Sequence, residues 1–128
     1  MSKIDLLGGS NMKKVLIVDD AAFMRLTLKK ILEENGFEVV GEAVNGVDAV
    51  QKYFTLKPDI VTMDITMPEM DGVEALEKIR SKDPNAKVVM ISAVGQDTWV
   101  KRAVMNGAKG FVVKPYKEDY VVQTLKKL

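Results

Sequence analysis

Short, continuous apolar runs alternate along the chain with segments whose apolar residues recur at helical spacing, and this alternation constrains the fold most. Apolar runs of this kind are typical of strands that are covered on both faces. Five strands are predicted, at residues 14–18, 37–43, 60–63, 87–91 and 110–113. Five strands alternating with five helices indicate an α/β fold, a doubly wound three-layer sandwich with helices on both faces of a parallel sheet.

The helical segments carry apolar residues at i, i+3, i+4 and i+7. Asn45 is predicted to cap the second helix, and Asp71 with Glu74 to form a capping arrangement at the third. The second helix should end at Lys57-Pro58, because the residue before a proline disfavours the helical conformation. The residues predicted to face the sheet are Met24, Leu28, Ile31 and Leu32; Val47, Val50 and Phe54; Val73, Leu76 and Ile79; Val100, Ala103, Val104 and Gly107; and Val121, Leu125 and Leu128.

Length and composition set outer bounds on the function. The 128 residues suit one domain, and a net charge of +1 offers no basic face for nucleic acid. The absence of cysteine and histidine excludes thiolate chemistry, disulfides and the commonest transition-metal ligand. No apolar stretch approaches a membrane span, and the N-terminus lacks a signal-peptide pattern. We expect a cytoplasmic monomer that binds neither nucleic acid nor membrane, with residues 1–11 a flexible leader or cloning remnant and residues 12–128 the folded domain.

Polar side chains follow four of the predicted strands. Asp19 and Asp20 follow the first strand, Asp64 the third, Ser92 the fourth and Lys114 the fifth. In a doubly wound sheet the carboxyl ends of the strands share one edge, where ligands bind. We therefore expect three carboxylates, one hydroxyl and one ammonium group to converge there.

This set of groups is suited to phosphoryl transfer. Three neighbouring carboxylates repel one another unless a cation joins them, and an all-oxygen site favours Mg²⁺, with Mn²⁺ able to substitute. A lysine can pair with a carboxylate and then with a phosphoryl oxygen. A carboxylate nucleophile beside a magnesium ion, a lysine and a hydroxyl indicates phosphoryl transfer, with Asp64 as the reacting group.

Five short motifs then carry a resemblance. They are Val-Asp-Asp at 18–20, Met-Asp at 63–64, Met-Pro-Glu-Met-Asp-Gly at 67–72, Ser-Ala at 92–93 and Lys-Pro at 114–115. Their order and spacing over residues 12–128 resemble the receiver domains of two-component response regulators, above all the single-domain chemotaxis regulators. The resemblance implies a flavodoxin-like (βα)5 fold with strand order 2-1-3-4-5, and a cis peptide bond at Lys114-Pro115.

The resemblance also implies roles for the residues of the site. Asp64 would be the phosphoacceptor and a ligand of Mg²⁺. Asp20 would ligate the ion directly, Asp19 mainly through water, and Thr66 through its backbone carbonyl. Thr66 stands where some members of the family carry Asn, so its side chain should influence how water reaches the acyl phosphate.

Three further residues would respond to phosphorylation. Ser92 resembles the switch hydroxyl that turns toward the phosphoryl group, and Lys114 resembles the lysine of the site. Phe111 takes the place of an aromatic switch residue that is often Tyr. A phenylalanine there can swing inward, but it cannot donate a hydroxyl hydrogen bond to a partner.

The implied function is a signalling switch, not an enzyme with a separate substrate. A CheA-like histidine kinase would donate a phosphoryl group to Asp64, and the protein would assist its own phosphorylation and dephosphorylation. Phosphorylation would change its affinity for the flagellar motor switch protein. A dedicated phosphatase of the phosphorylated form would be a further partner.

Three alternatives stay open. A receiver from another two-component or phosphorelay pathway would look similar, although a chain that stops soon after the fifth helix favours a stand-alone protein. A phosphatase of the haloacid dehalogenase type also uses an Asp nucleophile, but it would need a second acid where Thr66 stands. A flavodoxin-type flavin carrier would need a Ser/Thr/Gly-rich phosphate loop where Asp19-Asp20 lie.

Overall fold

A computed structural model of the chain describes residues 12–128, and the predicted leader at residues 1–11 lies outside the described residues. Strands and helices alternate as the apolar pattern predicts. The elements are β1 (Lys14–Val18), α1 (Ala22–Glu33), β2 (Glu38–Ala43), α2 (Gly46–Leu56), β3 (Ile60–Asp64), α3 (Gly72–Lys82), β4 (Val88–Ala93), α4 (Asp97–Met105), β5 (Gly110–Lys114) and α5 (Glu118–Lys126). Four strands differ from the prediction by one or two residues: β2 begins at Glu38, β3 and β5 each end one residue later than predicted, and β4 runs from Val88 to Ala93.

The strands form one parallel sheet in the order β2-β1-β3-β4-β5, which confirms the predicted topology. The register of the parallel strands brings the polar residues at their carboxyl ends close together. Asp64 at the end of β3 pairs with Ile91, and Lys114 at the end of β5 pairs with Ala93. The peptide bond between Lys114 and Pro115 is cis, as the family resemblance implies.

Helices pack on both faces of the sheet and create two separate cores. Helices α1 and α5 cover one face, where Leu28, Leu32 and Leu125 are buried. Helices α2, α3 and α4 cover the other face. Strand β3, at the centre, is buried along its whole length, which explains why its sequence is almost continuously apolar. Within residues 12–128, no helix combines the length and the apolar character needed to cross a membrane.

The predicted caps of two helices are present. The Asn45 side chain accepts a hydrogen bond from the Asp48 N–H at 2.8 Å, and the Asp71 side chain accepts one from the Glu74 N–H at 2.9 Å. Helix α2 ends at Leu56 because Lys57 adopts a left-handed conformation, with φ 50° and ψ 58°. Each cap satisfies a backbone N–H that the first helical turn leaves without a partner.

The predicted inward face of α2 is wrong for two of its three residues. Val47 and Phe54 are exposed, Val50 is partly buried, and the residues in the core are Ala49 and Tyr53. Tyr53 can enter the core because its hydroxyl donates a hydrogen bond to Asp83 at 2.6 Å, which satisfies the buried polar atom. The apolar spacing alone could not reveal that a tyrosine would be preferred to the neighbouring phenylalanine.

The predicted inward face of α4 is wrong for Val104, which is 55% exposed. The helix buries Ala103 and partly covers Val100. A small alanine lets the helix backbone approach the core closely. The next residue lies about 100° further around the helix, since a turn takes 3.6 residues, so Val104 falls on the solvent side.

We predict that replacing Tyr53 with Phe lowers the free energy of unfolding by about 1 kcal/mol, since the bond to Asp83 joins the end of α2 to the end of α3. Urea unfolding followed by circular dichroism measures the change. Tyr120→Phe is the matched control, because the Tyr120 side chain is exposed and its bond to the Phe111 carbonyl is long, at 3.3 Å. Equal losses in the two variants would contradict the prediction.

Candidate functional site

Three carboxylates meet at the carboxyl edge of the sheet. One oxygen each from Asp19, Asp20 and Asp64 lies within 4.8 Å of the other two. Strands β1 and β3 are paired neighbours, so the residues that follow β1 come next to the end of β3. Asp19 and Asp64 are buried, whereas Asp20 is exposed. The cluster is therefore reached from solvent on the side of Asp20.

Lys114 supplies the positive charge of the cluster. Its ammonium nitrogen lies 3.2 Å from Asp19 Oδ2 and 3.4 Å from Asp64 Oδ2. Burial by itself lowers the pKa of Lys114, but the carboxylates of Asp64 and Asp19 outweigh burial and raise it. The lysine therefore stays protonated, and it offsets part of the repulsion between the two buried acids.

The ionisation of the Asp64 carboxyl group is strongly perturbed. Burial raises the pKa of its carboxyl group to about 6, Lys114 opposes the rise, and the charges of Asp19 and Asp20 add to it. A carboxylate that is desolvated and surrounded by like charge holds its proton more tightly than one in water. Positive charge brought to the site would favour the ionised, nucleophilic form.

Asp19 is held in place through both its side chain and its backbone. Its Oδ1 accepts a hydrogen bond from the Ala21 N–H at 2.9 Å, while its carbonyl accepts one from Arg25 Nη1 at 2.8 Å. Arg25 also donates from Nε to Glu42 Oε1 on β2, at 2.9 Å. The sequence analysis missed Arg25, because its contact with Glu42 depends on how α1 packs beside β2.

The loop after Asp64 (residues 65–71, the β3–α3 loop) is closed tightly against the strand. The Gly72 N–H donates to the Ile65 carbonyl at 2.7 Å. A Cβ atom at residue 72 would collide with the backbone of Asp64, so only glycine fits this position. This contact gives Gly72 a structural role, since it holds the start of α3 against the backbone of Asp64.

The other predicted residues surround this cluster at different depths. Ser92 is buried on β4, one residue beyond the partner of Asp64. The Thr66 side chain is exposed and accepts a hydrogen bond from Gln96 Nε2 at 2.6 Å. Phe111 is half-buried against the core formed by α2, α3 and α4. The roles of these residues stay predictions, and Gln96 is a contact that the sequence analysis missed.

The donor atoms fit a divalent ion that prefers oxygen. Three carboxylates whose oxygens lie within 4.8 Å of one another, one of them open to solvent, are the kind of ligands that Mg²⁺ takes while keeping several waters. The single lysine cannot neutralise three acids. The residues present are therefore suited to hold such an ion.

Residues 15–126 match the response regulator receiver domain family. The matched range contains nearly all of the sheet, the helices and the carboxylate cluster. The chain belongs to this family. The strand order is the one that the resemblance to this family of signalling proteins implied.

Similar receiver proteins occur in several bacteria. The chain is 58% identical over 116 residues to the chemotaxis protein CheY of Thermotoga maritima, covering 91% of this chain and 97% of that protein. It is 55% identical over 114 residues to CheY of Bacillus subtilis, covering 89% of this chain and 95% of the relative. Among solved structures, CheY from Borrelia burgdorferi, in a complex with CheX, BeF3 and magnesium, superimposes with a TM-score of 0.85 at 44% identity, covering 90% of this chain and 87% of that one.

We predict that Asp64→Asn stabilises the metal-free receiver at pH 7 by about 1–3 kcal/mol. The folded-state pKa of Asp64, about 6, is above its usual value of 3.8. The parent therefore loses stability as pH rises from about 4 to about 6, where the folded protein must give up a proton it holds more tightly than the unfolded chain. The neutral amide avoids this loss, so the gain should vanish below about pH 4.

Urea unfolding in EDTA at pH 3.5, 5 and 7 checks this dependence. Asp119→Asn, an exposed acid at the start of α5, is the control and should show no gain that grows with pH. An Asp64→Asn variant that is less stable than the parent at pH 7 would show that the carboxylate is a net stabilising group.

Proposed function

We propose that this receiver is a chemotaxis-type response regulator that accepts a phosphoryl group on Asp64 and thereby changes its affinity for the flagellar motor switch protein. The phosphoryl donor is a CheA-like histidine kinase. The cluster of Asp64 with Asp19, Asp20 and Lys114 is the observation that carries the proposal. The similarity to CheY proteins over nearly their whole length supports the chemotaxis pathway.

The transfer step uses Asp64 as a nucleophile. A carboxylate oxygen of Asp64 attacks the phosphorus of the kinase phosphohistidine; an oxygen–phosphorus bond forms as the nitrogen–phosphorus bond breaks. The bonding electrons return to the kinase imidazole, and the product is an acyl phosphate on Asp64. Catalysis of this kind consists mainly of positioning and charge neutralisation, so the lack of a histidine base in this chain is no obstacle.

Asp19, Asp20, Asp64 and the backbone carbonyl of Thr66 would hold Mg²⁺, which neutralises the oxygens of the transferred group when it is bound. Lys114 already lies 3.4 Å from Asp64 Oδ2, where it can exchange the carboxylate for a phosphoryl oxygen. Ser92 is buried one residue past the partner of Asp64, and its hydroxyl is a donor for the new group. Each of these groups would interact with negative charge that appears only when Asp64 is phosphorylated.

The output surface is formed by α4, β5 and α5. It exposes Trp99, Met105, Val113 and Tyr120, and Phe111 lies half-buried between this surface and the core. Movement of Ser92 and Phe111 would shift the balance between two arrangements of this surface. The flagellar motor switch protein is the proposed partner there. A CheY phosphatase is a further proposed partner. A CheX-like protein is another candidate partner, because CheY of Borrelia burgdorferi was solved in a complex with CheX.

Incubation with acetyl phosphate and Mg²⁺, followed by intact mass measurement, tests the acceptor. We expect one phosphate on the parent and on Asp119→Asn, and none on Asp64→Asn. EDTA should abolish uptake by the parent, since the carboxylates would then repel the donor. Phosphate uptake by Asp64→Asn would contradict the assignment of the acceptor.

The output needs a separate measurement. Binding of the purified motor switch protein to the receiver, with and without acetyl phosphate, should rise on phosphorylation in the parent and stay at its basal level in Asp64→Asn. A receiver that takes up phosphate without any change in this binding would belong to another two-component or phosphorelay pathway. Sustained turnover of small phosphate esters would favour the Asp-nucleophile phosphatase.

A further inference from the structure

Gln96 joins the two loops that flank the carboxyl group of Asp64. Its side-chain oxygen accepts a hydrogen bond from the Ala93 N–H at 2.6 Å. Its side-chain nitrogen donates to the Thr66 hydroxyl, also at 2.6 Å. One carboxamide thus connects the β3–α3 loop to the β4–α4 loop (residues 94–96).

The bridge lies beside the acceptor. Thr66 is two residues past Asp64, and Ala93 directly follows Ser92, whose preceding residue Ile91 pairs with Asp64. Strand β1, which leads to Asp19, pairs with the other edge of β3. Asp19, which follows β1, and Ala93, at the end of β4, therefore lie on opposite sides of β3.

The side chain of Gln96 does not serve the helix that it precedes. Gln96 is the N-cap residue of α4, yet it makes no side-chain hydrogen bond to the first turn of that helix. Gly95 has a φ of 90°, a left-handed conformation that turns the chain back on itself. The carboxamide is thereby directed at Ala93 and Thr66, and its orientation needs an explanation other than helix capping.

We propose that Gln96 is a positioning residue, a latch that holds the β4–α4 loop in its unphosphorylated arrangement and opposes phosphorylation of Asp64. The inference rests on the proposed function. A phosphoryl group on Asp64 adds three strong acceptor oxygens and negative charge between the two loops. A neutral carboxamide oxygen is the weaker acceptor for an N–H donor. The Ala93 N–H therefore exchanges its bond to Gln96 for one to the phosphoryl group when the end of β4, which carries Ser92, moves toward that group.

The latch also ties the site to the output surface. The carbonyl of Gln96 accepts the first backbone hydrogen bond of α4, from the Val100 N–H at 3.0 Å. Release of the Gln96 side chain therefore frees the residue that precedes α4 and accepts its first backbone hydrogen bond. This link requires no contact between α4 and the carboxylates.

The Gln96→Met variant tests the latch, because methionine keeps the length of the side chain and loses both hydrogen bonds. Beryllofluoride in the presence of Mg²⁺ is the probe of the phosphorylated state, and its affinity is measured by titration calorimetry. Removing a constraint that stabilises only the unphosphorylated arrangement should raise this affinity about three- to tenfold. Gln51→Met, at an exposed position on α2, is the matched control and should leave the affinity unchanged.

A second pair of variants asks whether the Thr66 bond is part of the same device. Thr66→Val breaks the other half of the bridge, so its effect on beryllofluoride affinity should be smaller in the Gln96→Met background than in the parent. Strictly additive effects would overturn the latch, since two residues that act through one bridge must be coupled.

Amide hydrogen exchange of the metal-free protein distinguishes a latch that opposes phosphorylation from a contact that only holds the two loops together. The Ala93 N–H should exchange faster in Gln96→Met than in the parent or in Gln51→Met. Faster exchange with unchanged beryllofluoride affinity would overturn the latch and leave Gln96 a structural tie between loops. Failure of the parent itself to bind beryllofluoride would overturn the proposed function and the latch together, whereas binding by the parent without an increase in Gln96→Met would overturn the latch alone.

Discussion

The contact of one ammonium group with two buried carboxylates underlies the arrangement of the whole site. Lys114 reaches Asp19 and Asp64 from the far side of β4, so three strands of the sheet end on one charge cluster. Burying these charges costs free energy, which their attraction only partly offsets. The remaining excess of negative charge favours the binding of cations and of groups that carry a cation.

The rest of the fold keeps this costly cluster in position. The two cores anchor the strands on both faces, and backbone hydrogen bonds from Ile65 to Ile91 and from Gly72 to Ile65 hold the β3–α3 loop. Gly72 presses the start of α3 against the backbone of Asp64, while Arg25 fixes the carbonyl of Asp19 from α1. Gln96 differs from these supports because it is held by two exposed side-chain hydrogen bonds, one to the Ala93 N–H at the end of β4 and one to Thr66 in the β3–α3 loop. Such bonds are easier to exchange than backbone pairing inside a sheet.

Much of this architecture could be predicted from the sequence. The alternation of apolar runs and helical spacing predicted the number, order and type of the elements, and the family resemblance supplied the strand order. The caps at Asn45 and Asp71 were also predictable, because capping depends on neighbouring residues. The helix faces were harder: Val47, Phe54 and Val104 are apolar at suitable spacing but remain exposed.

The sequence by itself determined which chemical groups end each strand, because a strand that leads into Asp64 presents that acid at the sheet edge in any parallel fold. Only the tertiary structure decided which of these groups touch. Lys114 and Asp19 are 95 residues apart, yet the crossovers bring them to 3.2 Å. Tyr53, and not Phe54, is buried in the core, because its hydroxyl donates a hydrogen bond to Asp83. The Gln96 side chain bonds to Thr66 instead of capping its own helix. Such contacts depend on how distant segments pack together, which the local periodicity of the sequence does not indicate.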